Sequence, residues 1–154
     1  HQPSKRHYMD DLDRKIIELL QINGRASNAR IARDVGVSEG TVRRRLRRLV
    51  QDEIIRVVAV PDPEKMGLST VALIGIQADP DKLDDVAERL AALPETQYVS
   101  LTTGSFDLFI WVALLSSEEL GNFLRHRVGV VTGVRRTETF VNLVIVKKGY
   151  GIVV

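Results

Sequence analysis

Ser38-Glu39-Gly40-Thr41-Val42-Arg43-Arg44-Arg45-Leu46-Arg47-Arg48-Leu49 packs five arginines into the six positions from 43 to 48. At about 3.6 residues per helical turn, Val42, Leu46 and Leu49 fall on one apolar stripe. Gly40, Arg43, Arg44 and Arg47 fall on the opposite face, and Thr41 and Arg48 flank it. Arg45 lies beside the stripe, where its methylene stem can pack while its head stays wet. The pattern predicts a helix with a greasy back and a cationic front, capped by Ser38 and running to about Gln51. Such a rod fits a major groove, with arginines reaching guanine edges or phosphates. Gly40, near the leading end, would let the backbone approach the groove closely.

Working outward toward the N-terminus, Leu12, Ile16, Leu19 and Leu20 recur at helical spacing over Asp11 to Ile22, with Ile17 beside them. Asp10, Asp11 and Asp13 suit the positive end of that helix, and Asn23-Gly24 ends it. Ser27 or Asn28 can cap a second helix with Ala29, Ile31, Ala32 and Val35 on its apolar side, broken by Gly36. Two helices joined by a short glycine-containing turn form a helix-turn-helix. Charge is unevenly spread in the same sense. Residues 1–56 hold 13 Lys/Arg against 8 Asp/Glu, a net of +5, whereas residues 57–154 hold 9 against 12, a net of −3. A basic front and a mildly acidic back indicate two units with different partners.

Toward the C-terminus, Ile54-Ile55-Arg56-Val57-Val58-Ala59-Val60 is β-prone and predicts a strand leading out of the helical unit, stopped by Pro61 and Pro63. Pro61 to Gly67 reads as a linker. Beyond it the pattern alternates: a strand over Val71 to Gln77, a helix over Lys82 to Leu93, strands over Tyr98 to Thr103 and Phe106 to Leu115, a helix from Ser116 or Ser117 to about Arg127, and a long strand over Val134 to Lys147 with a break near Asn142. The expected fold is α+β. Residues 9–54 form a helix-turn-helix domain, 55–68 a strand and linker, and 69–154 a ferredoxin-like βαββαβ domain. Two helices cover one face of a four-stranded sheet and leave the other bare, which a second copy would cover most simply.

Composition narrows the function. The 154 residues contain no cysteine, which excludes disulfides, thiolate metal sites and a cysteine nucleophile. The longest apolar stretch, Leu108 to Leu115, falls far short of the roughly 20 residues of a membrane-spanning helix. His1 to Met9 is polar and basic, without the apolar core of a signal peptide, so a cytoplasmic location is expected. No Gly-x-Ser-x-Gly, phosphate-binding loop or His-Glu-x-x-His occurs. His1 and His7 lie at the extreme N-terminus and His126 stands alone on a helix. Asp79, Asp81, Asp84 and Asp85 suit a helix start better than a metal. No catalysis, metal or cofactor is expected.

Several motifs in order give a resemblance. Leu12 to Gln21, Asn23 to Ser27, Ser38 to Leu49, Ile54-Ile55 with Asp62-Pro63 and Gly67, Gly104-Ser105-Phe106-Asp107-Leu108, and Gly133 to Thr139 resemble the Lrp/AsnC family of transcription regulators over about nine-tenths of the chain. The resemblance implies binding to double-stranded DNA through Ser38, Gly40, Thr41, Arg43, Arg44, Arg45, Arg47 and Arg48. It implies homodimers that build rings such as octamers, and a small effector, commonly an amino acid. Carried over by position, Thr102, Thr103, Gly104, Asp107, Thr137 and Thr139 would bind that effector. Asp107 can accept from an ammonium, while turn amides and threonine hydroxyls can donate to a carboxylate. The alternatives are an architectural DNA-compacting protein and a ligand-binding module without sequence-specific regulation. Two departures stand out. Glu53 replaces the family's usual glycine, which is expected to change the turn there, and Gly40 costs up to about 1 kcal/mol against alanine.

Overall fold

The computed structural model describes residues 9–154; expectations for His1 and His7 lie outside it. Residues up to Val60 form one compact unit together with Gly149–Val154, and Pro61–Lys148 form the other.

The first unit is three helices: α1 (Asp11–Ile22), α2 (Asn28–Val35) and α3 (Glu39–Gln51). Local chemistry sets each boundary. Asp10 caps α1 in a reciprocal box with Asp13, and Ser27 and Ser38 cap α2 and α3 through their hydroxyls. Gly36, left-handed at φ 75°, ends α2. Ile16, Ile31, Val42 and Leu49 are wholly buried at the centre, each worth about 1.5–3 kcal/mol of apolar transfer. Leu46, expected in that stripe, is only half-buried and lies at its rim.

The end of α3 corrects one expectation. The Ile54 N–H donates to Leu49 O at 2.9 Å and the Glu53 N–H to Val50 O at 3.1 Å, the paired bonds of a Schellman cap. Glu53 is left-handed at φ 56°. The turn therefore keeps the geometry a glycine would give, with a non-glycine held in a conformation costing about 1–2 kcal/mol. Glu53→Gly is expected to raise the stability of this unit by up to about 1 kcal/mol, since glycine's extra freedom in the unfolded chain offsets part of the relief. A urea midpoint that falls in this variant would contradict that account.

The strand expected over Ile54–Val60 does not form. The segment has no ladder partner among the described residues, and Val57, Val58 and Val60 are exposed. Propensity alone makes no strand when no second edge satisfies the backbone. The tail also moves. Sequence pattern assigns Gly149–Val154 to the second domain, but Val154 packs against the helical core and the Gln21 side-chain amide donates to Ile152 O at 2.6 Å.

The second unit holds β1 (Thr70–Ala78), a 3₁₀ turn (Pro80–Lys82), α4 (Leu83–Ala91), β2 (Thr96–Leu101), β3 (Leu108–Leu114), α5 (Ser117–Phe123) and β4 (Val134–Val141). All strand pairs are antiparallel, in the order β2-β3-β1-β4. This is the ferredoxin-like arrangement. Ile74, Ile76, Leu108, Ile110 and Val112 face the helices, packing with Val86, Leu90, Leu120 and Phe123. The helix expected to continue to Arg127 widens into a π turn over Leu124–Val128, closed by the Gly129 N–H on Leu124 O at 2.8 Å; His126 is exposed on it. The last strand stops at Val141 rather than Lys147. The Asn142 N–H still reaches Val71 O at 2.9 Å, one residue from the start of β1 at Thr70, where the ladder runs out.

The face away from the helices carries an apolar band. Directly opposed pairs place Tyr98, Trp111, Leu73 and Phe140 in one row across all four strands. Beside it the Phe106 ring lies over Gly75, where a Cβ would come within 2.7 Å of it. Phe109 and Phe140 meet that ring edge-on at 5.4 and 6.4 Å. Trp111 and Phe140 remain 39% and 44% exposed.

Candidate nucleic-acid interface and effector turn

On α3, the Ser38 hydroxyl accepts the Thr41 N–H at 3.1 Å and lies 2.8 Å from Thr41 Oγ1. These two hydroxyls shape the helix start. A Cβ on Gly40 would meet only Ser38 Oγ, at 4.0 Å, so nothing inside the chain demands glycine there. Arg43 pairs with Glu39 at 2.7 Å, one turn back, with both side chains more than half exposed. Exposed pairs of this kind contribute a few tenths of a kcal/mol and exchange readily for a phosphate. Arg44 and Arg47 are exposed and have no ion pair or hydrogen bond among the described residues.

Arg45 and Arg48 behave differently. Arg45 donates to Asp10 Oδ2 at 2.6 Å and to Asp13 Oδ1 at 3.3 Å, and Arg48 donates to Asp13 Oδ2 at 2.9 Å. The Asp13 side chain is fully buried between the two arginines. Its N–H in turn donates to Asp10 Oδ1 at 2.9 Å. That backbone bond first, and the Arg45 guanidinium second, hold the Asp10 carboxyl below its ordinary value of 3.8. The Asp10 link is thus complete above pH 4 and loosens as the pH falls through the depressed value. So α1 ties down two arginines, Arg45 and Arg48, that the family resemblance includes in the DNA-binding set. The signal for this lay in Asp10 and Asp13, which were visible only as helix-start acids.

In the second unit, residues 102–107 form a braced turn between β2 and β3. The Thr102 N–H donates to Asp107 O at 3.0 Å, and the Asp107 N–H to Ile76 O at 2.9 Å. Asp107 Oδ2 accepts the Ala78 N–H at 2.9 Å, and the Gln77 amide donates to Ser105 O at 2.8 Å. The Thr102 hydroxyl is engaged with Phe106 O at 3.3 Å. Gly104 sits at φ 105°, which only glycine adopts without strain. Thr103, Gly104 and Ser105 are exposed and Asp107 is half-buried.

Thr137 and Thr139 do not join this group. They stand opposite Ile76 and Ile74, whose side chains lie wholly buried under the helices. Opposed residues share a face, so both threonines point to the helix side. Asp107 lies just outside β3 with its carboxylate on the Ala78 N–H, and the Phe106 ring over Gly75 marks the open side of the sheet here. There Gln77 stands beside Arg136 in register, with Glu138 opposite Gly75. Arg136 and Glu138 are the β4 residues that sequence reasoning passed over. Among the described residues no cluster of metal-ligating side chains occurs, and no helix is long and apolar enough to cross a membrane.

A capped helical triad with a cationic third helix, followed by a ferredoxin-like unit with a braced glycine turn, defines a helix-turn-helix regulator with a ligand-binding domain. Residues 9–50 match the AsnC-type helix-turn-helix domain, and residues 71–152 match the Lrp/AsnC ligand binding domain. The chain belongs to the Lrp/AsnC family of transcriptional regulators. It is 38% identical over 148 residues to an uncharacterized HTH-type transcriptional regulator of Pyrococcus abyssi, covering 96% of this chain and 94% of that one. It is 37% identical over 144 residues to the HTH-type transcriptional regulator FL11 of Pyrococcus furiosus, covering 93% and 95%. Among solved structures it superimposes on E. coli AsnC with a TM-score of 0.87 at 27% identity, covering 94% and 98% of the two chains. A transcriptional regulator of Neisseria meningitidis, solved as a complex with L-Met, gives a TM-score of 0.86 at 25% identity, covering 92% and 94%.

Proposed function

We propose that the protein is a sequence-specific regulator that reads duplex DNA with α3 and responds to an amino acid bound at the Gly104–Asp107 turn. The observation that carries the DNA reading is the front of α3. Gly40, Arg43, Arg44 and Arg47 form an exposed face with two cations unengaged among the described residues, set rigidly on a buried back. Ser38 and Thr41 shape the leading end that would enter the groove. A second copy covers the open sheet face. The row Tyr98–Trp111–Leu73–Phe140 crosses every strand, which suits a self-complementary two-fold contact. Such a dimer presents two α3 helices to half-sites about one helical turn apart, and larger rings such as octamers assemble from dimers. Selection from a random duplex pool is expected to recover a pseudo-palindrome. A pool that stays unenriched while still being bound would replace regulation with architectural compaction.

For the effector, the ammonium goes to Asp107 and the carboxylate to Arg136 with the exposed amides of the Thr103–Gly104 turn. This arrangement keeps the ligand on the open side of the sheet and leaves Thr137 and Thr139 out of first contact. The L-Met complex of the Neisseria meningitidis neighbour supports an amino acid as the ligand class. Calorimetry across the twenty amino acids is expected to find at least one binder. Asp107→Asn keeps an oxygen for the Ala78 N–H but removes the charge, and is expected to weaken that binder at least tenfold, since a hydrogen bond to a charged group is worth about 1.5–3 kcal/mol. Unchanged affinity would remove Asp107 from the site.

A further inference from the structure

The arginines of α3 are not equally available, and the acids of α1 decide which are. Arg45 is held by Asp10 at 2.6 Å and Asp13 at 3.3 Å, with its side chain 23% exposed. Asp10 is 40% exposed and belongs to the end of α1 rather than to α3. A carboxylate that caps a helix needs no arginine to do so. Serine caps α2 and α3 in the same unit. The Asp10–Arg45 bond therefore does something beyond capping: it neutralises one cation of the helix richest in arginine. Sequence-independent DNA affinity scales with the number of phosphates neutralised, and it sets the background against which a specific site must compete.

We infer that Asp10 is a specificity-determining residue, which keeps the Arg45 charge engaged within the protein and so holds down non-specific DNA affinity. The inference rests on α3 being the DNA-reading helix. Asp10→Ser preserves a capping hydroxyl and removes the 2.6 Å bond, leaving Arg45 only its 3.3 Å contact with Asp13 and freer to turn toward a phosphate. Each added phosphate contact steepens the dependence of log affinity on log salt by about 0.9. The variant is expected to bind a scrambled duplex more tightly, with a salt slope steeper by about 0.9 per protomer, and to lose part of its ratio of selected-site to scrambled affinity. Adding Arg45→Gln to Asp10→Ser returns the slope to that of the parent.

The outcomes separate cleanly. If the parent binds neither duplex, the DNA reading itself fails. If the parent binds and Asp10→Ser keeps its helicity but not a steeper slope, the inference is overturned. It is equally overturned if the double variant stays steep, because the added cation is then not Arg45. Should Asp10→Ser not fold, Asp10→Asn repeats the test with a cap of similar strength. Arg45→Gln alone must then leave the slope of the parent unchanged while Arg47→Gln flattens it, and equal flattening by both sinks the proposal.

Discussion

Asp13→Ala is expected to lower the stability of the helical unit by about 3 kcal/mol and its thermal midpoint by roughly 15 °C, judged from the values for domains of this size. The carboxylate is fully buried, and both oxygens accept from guanidinium groups, at 3.3 Å from Arg45 and 2.9 Å from Arg48. Alanine removes charge-assisted bonds worth about 1.5–3 kcal/mol each. The two arginines are partly exposed and can turn to water, which keeps the loss below that of a wholly buried pair. Far-UV dichroism through a urea titration reads the effect. A loss below about 1 kcal/mol would show that Asp13 is incidental to how α1 and α3 pack. Affinity for a selected site is expected to fall with it, because α3 then loses its tether to α1, while the two freed arginines raise affinity for a scrambled duplex.

The second large effect concerns recognition rather than folding. Arg44→Ala combined with Arg47→Ala removes both exposed arginines of α3 that are unengaged among the described residues. If each reaches a guanine edge, each substitution costs about 1–3 kcal/mol of discrimination. The pair is expected to lose at least about thirtyfold in affinity for a selected site, with a much smaller loss on scrambled DNA. Arg48→Ala is expected to act differently. Its head is bonded to Asp13 but its side chain stays 43% exposed, open to a phosphate contact without sequence preference, so its removal weakens both duplexes evenly and lowers stability as well. Gel shifts on the two duplexes distinguish these patterns, and a double variant that discriminates as well as the parent would take α3 out of base recognition.

What was readable in the sequence follows the range of the signal. The boundaries of α1, α2 and α3 rest on Asp10, Ser27, Gly36 and Ser38, all within one turn of the element they delimit. The sheet domain was readable from alternation and breakers. The failures are non-local. Ile54–Val60 has the composition of a strand but no partner edge. The Arg45 and Arg48 partners lie at separations of 32 to 35 residues, which a helical wheel cannot show. The face of Thr137 and Thr139, which the resemblance groups with Asp107, is likewise set by register with Ile76 and Ile74 on the helix side. The irregularity between Gln77 and Ala78, where β1 slips against β4, is invisible to a pattern of period two. Glu53 shows the converse. A residue unsuited to a left-handed turn adopts it because the Leu49 and Val50 carbonyls need their partners.

The row across the open sheet face contains the sole tryptophan of the chain, Trp111. Its indole is 39% exposed in the single chain, so its emission reports the wetness of that surface and of no other. Docking of a second sheet dries the ring and moves its fluorescence toward the blue. Dilution series and effector titrations can therefore be followed optically on the unlabelled protein, with an internal gauge of assembly already in place.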